Sequence, residues 1–370
     1  MPQPMRIVIK VGTSTLTNPA GELDLNFMRS LVQQLSAIRA PGRQIALVTS
    51  GAVRAGLKPL GLKAARTIRE SQAAAAVGQS LLMRTYADFF RDEGLITAQI
   101  LLTRDDLADR RRYLNARNTL LTLFERGVVP IINENDTVAT DELKHSTTFG
   151  DNDTLAAQVT SLMGADLLVL LTDVEGFYVS RPDGTLQLLS EVTQITPELE
   201  EAARGTSSAV GKGGMATKLA AAKTVTHFGT TVVIAHGREP QVVERVVRGE
   251  KLGTWFHPRG RKLDSRRRWI GFSGPLRGAL VIDRGARQML LEQGKSLLPV
   301  GIVEVHGEFN SGDVVRLLDE QQQELGRGLV NYNAAEIRRL QGHRSKELER
   351  ILGYQGDAEV IHRDNMTLIP

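Results

Sequence analysis

The segment from Gly211 to Lys218 reads Gly-Lys-Gly-Gly-Met-Ala-Thr-Lys and joins clustered glycines and two lysines to the start of a helical pattern. Glycines let backbone N–H groups approach a ligand closely, and the N-terminus of a helix attracts anions. Apolar residues recur downstream at helical spacing, at Met215, Leu219 and Ala222. The segment predicts a phosphate site, although a flexible glycine loop before an ordinary helix explains these residues equally well.

Two better-known phosphate motifs do not fit this chain. The spacing between Gly205 and Gly211 is one residue longer than a P-loop allows, and Gly213 stands where Ser or Thr would bind magnesium. The triplet Gly294-Lys295-Ser296 lacks the first P-loop glycine and a preceding apolar strand, so we interpret it as a surface turn. No Gly-x-Gly-x-x-Gly segment follows a strand, which argues against the usual dinucleotide fold.

Polar residues also follow several apolar runs that predict strands. Each of them has a structural alternative, since a lysine can be an edge charge, a serine a helix cap and an aspartate part of a turn. In a parallel sheet, however, the carboxyl ends of the strands share one edge, where ligands bind. The polar groups in question are Lys10, Ser14, Ser50, the segment Asn133–Asp136, Thr172 and Asp173.

The segment Phe149–Thr154 places two carboxylates and an amide directly before an apolar-periodic run. Asn152 or Asp153 could simply cap a helix. In the functional alternative, the acidic groups bind magnesium or hold lysines in position, and Asn152 binds a substrate. The carboxylates of Asp136, Asp151 and Asp153, together with the predicted lysines, suit phosphoryl transfer, which depends on positioning and charge neutralisation.

Composition excludes several other classes of chemistry. The chain has 370 residues, 41% hydrophobic and 24% charged, which is ordinary for a globular protein with room for two domains. It has no cysteine, so disulfides, thiolate metal sites and a cysteine nucleophile are excluded, and its seven histidines show no ligand spacing. Neither a signal-like N-terminus nor a membrane-spanning apolar run is present, so we expect a cytoplasmic protein without membrane contact.

The chain alternates apolar runs and helical patterns up to about residue 250, which predicts an α/β fold with a mainly parallel sheet. The predicted strands are Arg6–Val11, Gln44–Thr49, Ile96–Leu102, Val128–Ile132, Leu167–Leu171 and Thr231–Ala235. The predicted helices are Leu25–Arg39, Glu70–Arg91, Ala116–Arg126, Thr154–Met163 and Ala216–Phe228.

The amino-acid composition of the chain changes after Trp255. Residues 256–277 form a basic, Gly- and Pro-rich segment that we interpret as a linker. Beyond it, strands predicted at Ala279–Ile282, Leu297–Glu304 and Val314–Leu318, with a helix at Ala286–Glu292, indicate a small β-rich module. The predicted organisation is therefore a catalytic domain over 1–255, the linker, and a second domain with a C-terminal tail over 278–370.

The ordered motifs of the chain resemble the glutamate 5-kinase family along its whole length. The motifs that carry the resemblance are Lys10–Ser14, Val48–Ala52, Asn133–Asp136, Phe149–Asp153, Leu171–Tyr178 and Gly213–Lys218. The resemblance implies an αβα sandwich of the amino acid kinase type, followed by a PUA-like domain. Such a kinase uses ATP with Mg²⁺ to convert L-glutamate to L-glutamyl 5-phosphate, the first step of proline biosynthesis.

The resemblance also implies a role for individual residues. Lys10, Lys218 and Asp153 would be catalytic, with Asp153 orienting the two lysines. Ser50, Asp136 and Asn152 would bind glutamate. The nucleotide would meet Lys10, Thr172, Asp173, Lys212, Gly213, Gly214, Met215, Ala216, Thr217 and Lys218. No residue is assigned to the metal, for which Asp151 is a candidate. Lys212 departs from the family, which commonly has Thr there.

Several expectations and alternatives accompany this assignment. The glutamate side-chain carboxylate has a pKa near ~4.3, so it is already a nucleophile at neutral pH and needs no general base. Family resemblance implies feedback inhibition by proline and a homo-oligomer, either a dimer or a tetramer. Other acceptors, namely aspartate, N-acetylglutamate, carbamate and nucleoside monophosphates, remain alternatives. So does an RNA-binding or RNA-modifying protein, which the basic linker and the PUA-like tail suggest, although residues 251–370 carry only 19 basic against 15 acidic side chains.

Overall fold

The computed structural model describes residues 5–18, 20–139, 152–181, 183–204, 214–258 and 263–368. The chain divides into two compact units, one comprising Met1–Asp106 with Tyr113–Lys262 and the other Leu107–Arg112 with Leu263–Pro370. The main division falls inside the predicted linker, part of which is regular structure, since a short helix spans Ser265–Arg268. The predicted domain limits at residues 255 and 278 stay predictions.

Within its described residues the first unit has ten strands, eight of them in one sheet. They are β1 (Arg6–Val11), β2 (Gln44–Val48), β3 (Thr97–Leu102), β4 (Val129–Glu134), β5 (Leu167–Thr172), β6 (Tyr178–Ser180), β7 (Leu186–Leu188), β8 (Glu191–Val192), β9 (Thr231–His236) and β10 (Thr254–Phe256). The large sheet has the order β3-β4-β2-β1-β5-β9-β10-β8, and only the β9–β10 pairing is antiparallel. The predicted α/β class with a mainly parallel sheet is confirmed.

The centre of this sheet is buried on both faces. All six residues of β5 are buried, as are five of the six in β1, because helices cover parallel sheets on either side. β1 pairs with β2 on one side and β5 on the other, in the registers Lys10 opposite Val48 and Lys10 opposite Leu170. Lys10 is therefore a cation within an apolar strand at the centre of the sheet.

Side-chain caps mark the first residues of two of the helices that precede or follow the strands of the large sheet. Thr67 and Glu70 form a capping box at the start of the Ile68–Asp92 helix, and Asp24 caps the Leu25–Ala37 helix by accepting from the Phe27 N–H. The helices are α1 (Thr13–Leu16), α2 (Leu25–Ala37), α3 (Ala52–Leu57), α4 (Ile68–Asp92), α5 (Arg104–Ala108), α6 (Arg110–Glu125), α7 (Asn152–Met163), α8 (Pro197–Arg204), α9 (Met215–His227) and α10 (Val242–Val247).

The second unit is built on a five-stranded sheet with its own apolar core. Its strands are β11 (Leu276–Ile282), β12 (Ile302–Gly307), β13 (Val314–Leu318), β14 (Glu324–Leu329) and β15 (Met366–Leu368), in the order β12-β11-β13-β14-β15. Its helices are α11 (Ser265–Arg268), α12 (Arg284–Gln293), α13 (Ala334–Leu340) and α14 (Leu348–Leu352). The predicted β-rich C-terminal module is confirmed.

Two local predictions in the second unit fare differently. The predicted strand 297–304 is wrong over its first half, because the 3₁₀ turn Pro299–Gly301 precedes a strand that starts only at Ile302. Proline has no N–H for a strand ladder, which favours the turn there. The surface-turn interpretation of Gly294-Lys295-Ser296 is confirmed, since Gly294 ends α12 in the left-handed conformation at φ 59°.

No helix within the described residues combines the length and the apolar character needed to cross a membrane.

Candidate active site

Two buried lysines meet one buried carboxylate at the carboxyl edge of the large sheet. Lys10 Nζ forms an ion pair with Asp153 Oδ1, and Lys218 Nζ lies 3.1 Å from Asp153 Oδ2. The Thr217 hydroxyl donates to the same Oδ2 over 3.0 Å. Lys10, Asp153, Thr217 and Lys218 form what we call the lysine–aspartate cluster.

Three different elements bring this cluster together. Lys10 is the penultimate residue of β1, Asp153 lies in the first turn of α7, and Thr217 and Lys218 lie in the first turn of α9. The carboxylate of Asp153 is 0% exposed, and the two lysines are 3% and 6% exposed. Lysines and aspartates are almost never buried unless they are paired.

Among the four residues of this cluster, the cationic side chains outnumber the carboxylate. Two lysines and one aspartate carry a net charge of +1 in a buried setting, where ions are poorly solvated. The first turns of α7 and α9 add backbone N–H groups and the positive ends of two helix dipoles. The arrangement therefore favours an anion with several oxygen acceptors, as a phosphoryl group has.

A chain of polar side chains lies beside the lysine–aspartate cluster. Asn152 Nδ2 donates to Ser50 Oγ over 2.6 Å and to Asn133 Oδ1 over 3.2 Å. Asn133 Nδ2 in turn donates to Gln79 Oε1 over 2.9 Å. We call Ser50, Asn152, Asn133 and Gln79 the amide chain.

The strand ends and one helix position the amide chain. Ser50 follows β2, and Gly51 after it adopts φ 95°, a left-handed conformation that suits glycine and lets α3 start at once. Asn133 is the next-to-last residue of β4, and Gln79 lies in α4. The hydroxyl of Thr49, the residue before Ser50, lies 3.0 Å from the hydroxyl of Tyr86 in the core. Burial raises the pKa of Tyr86.

Consecutive residues of α7 connect the two groups of side chains. Asn152 belongs to the amide chain and Asp153 to the lysine–aspartate cluster. One helix start therefore holds a neutral hydrogen-bonding region and a cationic region side by side. A ligand with a polar head and a reacting group next to a phosphate would need that combination.

The remaining residues that the sequence predicted occupy separate positions. Thr172 ends β5 and its hydroxyl donates to Asp173 Oδ1 over 3.0 Å, with Asp173 exposed. Asp136 lies half-buried in the turn after β4, and Gly214, Met215 and Ala216 form the half-buried start of α9. Asp151, Lys212 and Gly213 lie outside the described residues.

Sequence reasoning missed Gln79 and did not assign a role to Asn133. Asn133 lies in the Asn133–Asp136 motif, in which the predicted glutamate contact is Asp136. Gln79 carries a weaker signal, as the polar residue on the apolar stripe that Ala75, Leu82 and Tyr86 form on α4. A buried-face glutamine among alanines, leucine and tyrosine indicates a specific partner.

Within the described part of the chain, no group of three His, Cys, Asp or Glu side chains lies close enough to hold a metal ion. Mg²⁺ usually takes one or two carboxylates, several waters and substrate phosphates as its ligands. The described residues alone therefore assign no set of protein ligands to a metal ion.

Comparison with known proteins gives consistent results along the whole chain. The model of the amino acid kinase family matches residues 5–236, and the PUA domain model matches residues 278–352. The glutamate 5-kinase of Moorella thermoacetica is 49% identical over 370 residues, covering 99% of this chain and 97% of the relative. The glutamate 5-kinase of Geobacter sulfurreducens is 49% identical over 367 residues, covering 98% and 97%.

Among solved structures, UMP kinase from Bacillus anthracis matches with a TM-score of 0.45 and 14% identity, covering 70% of this chain and 98% of that chain. The family model spans well over half of the 370 residues, and both relatives align nearly end to end. The chain therefore belongs to the amino acid kinase family, in which it groups with the glutamate 5-kinases.

Proposed function

We propose that this chain transfers the γ-phosphoryl group of ATP to the side-chain carboxylate of L-glutamate, giving L-glutamyl 5-phosphate and ADP, the first step of proline biosynthesis. A carboxylate oxygen forms a bond to the γ-phosphorus while the bond from that phosphorus to the β,γ-bridging oxygen breaks. ADP leaves with the electron pair. The acceptor carboxylate is ionised at neutral pH, so no proton must be removed before attack.

The lysine–aspartate cluster is the observation that carries this proposal. In phosphoryl transfer, catalysis depends on positioning and on stabilising the charge of the transferring group. Lys10 and Lys218 are suited to that role because Asp153 contacts both and fixes the distance between them. Asp153 is a positioning residue in this scheme, since its two carboxylate oxygens are engaged by the lysines and by Thr217.

The amide chain is suited to hold the amino acid. Ser50 and Asn152 would bind glutamate together with Asp136, whose carboxylate could meet the α-ammonium group. Their neutral and acidic side chains complement an amino-acid head group, whereas the neighbouring lysines complement phosphate. The adjacent positions of Asn152 and Asp153 would then place the acceptor carboxylate next to the γ-phosphoryl group.

The nucleotide would lie between the start of α9 and the end of β5. Gly214, Met215, Ala216 and Thr217 would surround the phosphates, and Thr172 and Asp173 would line the nucleotide pocket. Lys212 and Gly213 belong to the same prediction. Mg²⁺, bound with ATP, would neutralise phosphate charge, and Asp151 remains the candidate side chain near it.

Further predictions from the family resemblance stay proposals. They are feedback inhibition by proline, assembly into a dimer or tetramer, a cytoplasmic location, and RNA binding by the C-terminal unit. Proline added to the activity assay tests feedback inhibition. RNA binding predicts an affinity that falls as salt concentration rises, and a titration without such dependence would exclude it.

The proposed function is tested by supplying Mg²⁺-ATP with glutamate in the presence of hydroxylamine, with and without proline. An acyl phosphate reacts with hydroxylamine to give a hydroxamate, whereas a nucleoside diphosphate does not. We expect hydroxamate formation with glutamate and little with aspartate, N-acetylglutamate or carbamate. Hydroxamate from another acceptor but none from glutamate would contradict the proposal, and so would phosphorylation of UMP alone.

A further inference from the structure

The amide chain has a direction that the backbone sets. The N–H of Glu134 donates to Asn133 Oδ1 over 2.9 Å. A backbone N–H can only donate, so the atom that it meets must be the carbonyl oxygen of the Asn133 amide. The other end of that amide is therefore the donor to Gln79, and the Gln79 atom that accepts must be Oε1.

The same reasoning fixes the amide of Asn152. Asn133 Oδ1 has two lone pairs, one for the Glu134 N–H and one for Asn152. Asn152 must present its nitrogen to that oxygen, and the same nitrogen donates to Ser50 Oγ. The carbonyl oxygen of Asn152 is thereby left as the free end of the amide, and this end can only accept.

The amide chain ends in one donor and one acceptor. Within the described residues, neither Gln79 Nε2 nor Asn152 Oδ1 has a hydrogen-bond partner, although both atoms are buried. An unpaired buried amide group destabilises a folded protein. A leucine at position 79 would avoid the unpaired donor, but it would leave Asn133 Nδ2 without its acceptor. The contact with Asn133, and not the stability of the fold alone, therefore accounts for a glutamine at position 79.

A close contact between two helices holds Gln79 in place. A Cβ atom on Gly78 would lie 1.8 Å from the Ala52 carbonyl oxygen, and one on Gly56 would lie 1.8 Å from the Ala74 carbonyl oxygen. The backbones of α3 and α4 therefore touch, directly beside Gln79. Because α3 starts right after Ser50 and Gly51, the contact ties Gln79 to the other end of the amide chain.

We propose that Gln79 is a positioning residue that holds the Asn133 amide in the orientation set by the Glu134 N–H, and through Asn133 the Asn152 amide, so that Asn152 offers its oxygen to the amino-acid substrate. This inference rests on the proposed function and adds a source of specificity to it. An acceptor at that position suits the α-ammonium of an amino acid. It offers nothing to a dicarboxylate of the same length without the ammonium, such as glutarate.

The test compares three variants of the full-length chain. Gln79→Leu removes the acceptor for Asn133, whereas Gln79→Glu keeps an acceptor oxygen at the same place. Gln34→Leu is the matched control, since Gln34 is a buried helical glutamine whose Oε1 accepts from the Val243 N–H over 3.0 Å, outside the amide chain. For each protein, hydroxamate formation gives kcat and KM for glutamate, glutarate and ATP, and thermal unfolding gives Tm.

For Gln79→Leu we expect the preference for glutamate over glutarate in kcat/KM to fall about 10-fold, which corresponds to one lost hydrogen bond of typical strength. The KM for ATP should change by less than about twofold, since nucleotide binding keeps its contacts. Gln79→Glu should keep the preference of the wild type. Gln34→Leu should lower Tm and leave the preference unchanged.

Two results would overturn this inference while leaving the proposed function intact. In one, wild type and Gln79→Leu show the same preference for glutamate. In the other, Gln79→Leu raises the KM for glutamate and the KM for ATP to the same degree and lowers Tm as Gln34→Leu does, which indicates a purely structural role. If the wild-type chain forms no hydroxamate from glutamate, the proposed function fails, and this inference fails with it.

Discussion

At the scale of single residues, Asp153 organises the candidate site. Each of its carboxylate oxygens meets a lysine from a different element, and its side chain is fully buried. Removing one partner from a buried ion pair is costly because the other charge is left uncompensated. The lysines thus have a stable position before any ligand binds, which is what preorganised electrostatic stabilisation requires.

We predict that Lys218→Met lowers kcat about 10²-fold, since it removes a charge that would stabilise the transferring phosphoryl group. Lys223→Met is the matched control, because Lys223 lies on the same helix but is exposed and pairs with Glu200. Its kcat should stay near that of the wild type. Steady-state kinetics at saturating glutamate and ATP make the measurement. Equal kcat values in the two variants would exclude a catalytic role for Lys218.

A second residue-scale prediction concerns pH and the core of the second unit. Burial, together with the negative charge of Asp357, raises the pKa of Tyr332 to about 12, against about 10 when the chain is unfolded. The unfolded state thus loses its proton first, so the contribution of Tyr332 to stability is complete below pH 10 and disappears as the pH rises toward 12.

We therefore expect Tyr332→Phe to flatten the decline of Tm between about pH 10 and pH 12, as measured by calorimetry of the full-length chain. At neutral pH the variant should be less stable than the wild type, because the Tyr332 hydroxyl donates to the Asp357 carbonyl. Parallel Tm curves for the two proteins across the alkaline range would show that Tyr332 does not titrate in this way.

At the scale of elements, the α3–α4 contact supports the amide chain. A glycine inside a helix costs about 1 kcal/mol relative to alanine, so Gly78 in the middle of α4 needs a reason. The reason is steric, because a side chain at position 78 would collide with the Ala52 backbone. The contact thus holds two helices at a fixed separation beside Ser50 and Gln79.

We predict that Gly78→Ala lowers the free energy of unfolding by about 2 kcal/mol, since forcing the helices apart outweighs the better helix propensity of alanine. The KM for glutamate should rise as well, because Gln79 and Ser50 would move relative to each other. Ser80→Ala, on the exposed side of α4, is the control and should be neutral. Denaturant titration gives the free energy of unfolding of the two variants, and steady-state kinetics gives their KM for glutamate. A Gly78→Ala protein more stable than the wild type would disprove the close approach of the helices.

Strands that consist of a continuous apolar run could be predicted from the sequence. The predicted strands 167–171 and 231–235 each agree with the structure to within one residue. Short continuous apolar runs are typical of strands that are buried on both faces of a parallel sheet. Short elements such as β10 and α10 could not be predicted, since three to six residues hold too little periodicity. Their structure depends on neighbours that are distant in the sequence.

The candidate site likewise contains residues that could be predicted from the sequence and a contact that could not. Strand-end position and motif resemblance pointed to Lys10, Asp153 and Lys218, and the structure brings these three together. The contact between Gln79 and Asn133 could not be predicted, because the two residues are 54 positions apart and no local pattern links them. Such contacts follow from the packing of α4 on the sheet.

At the scale of the whole molecule, the two units have separate apolar cores. Residues of β1, β2, β5 and β9 contribute to the first core, and residues of β11, β13 and α13 to the second. The chain has two tryptophans, with Trp255 in the first unit and Trp269 in the second, and both are buried. Each unit thus contains its own fluorescent reporter.

We predict that Mg²⁺-ATP raises the unfolding temperature of the first unit more than that of the second, because a ligand stabilises the structure that binds it. Trp269→Phe leaves Trp255 as the only tryptophan and reports on the first unit, whereas Trp255→Phe reports on the second. Fluorescence melts with and without the nucleotide give the two shifts. A larger shift in the Trp255→Phe protein would contradict the location of the nucleotide site in the first unit.

The hydrogen bond from the Glu134 backbone to Asn133 has a consequence for how sequence variation at this site should be interpreted. Because the donor belongs to the main chain, every amino acid except proline supplies it. The main-chain N–H of position 134 therefore sets the orientation of two neighbouring amides independently of the side chain at that position. Glu134→Pro removes this donor and should lower the preference for glutamate over glutarate, so that a determinant of substrate choice lies in the main chain, where comparisons of side-chain identity do not show it.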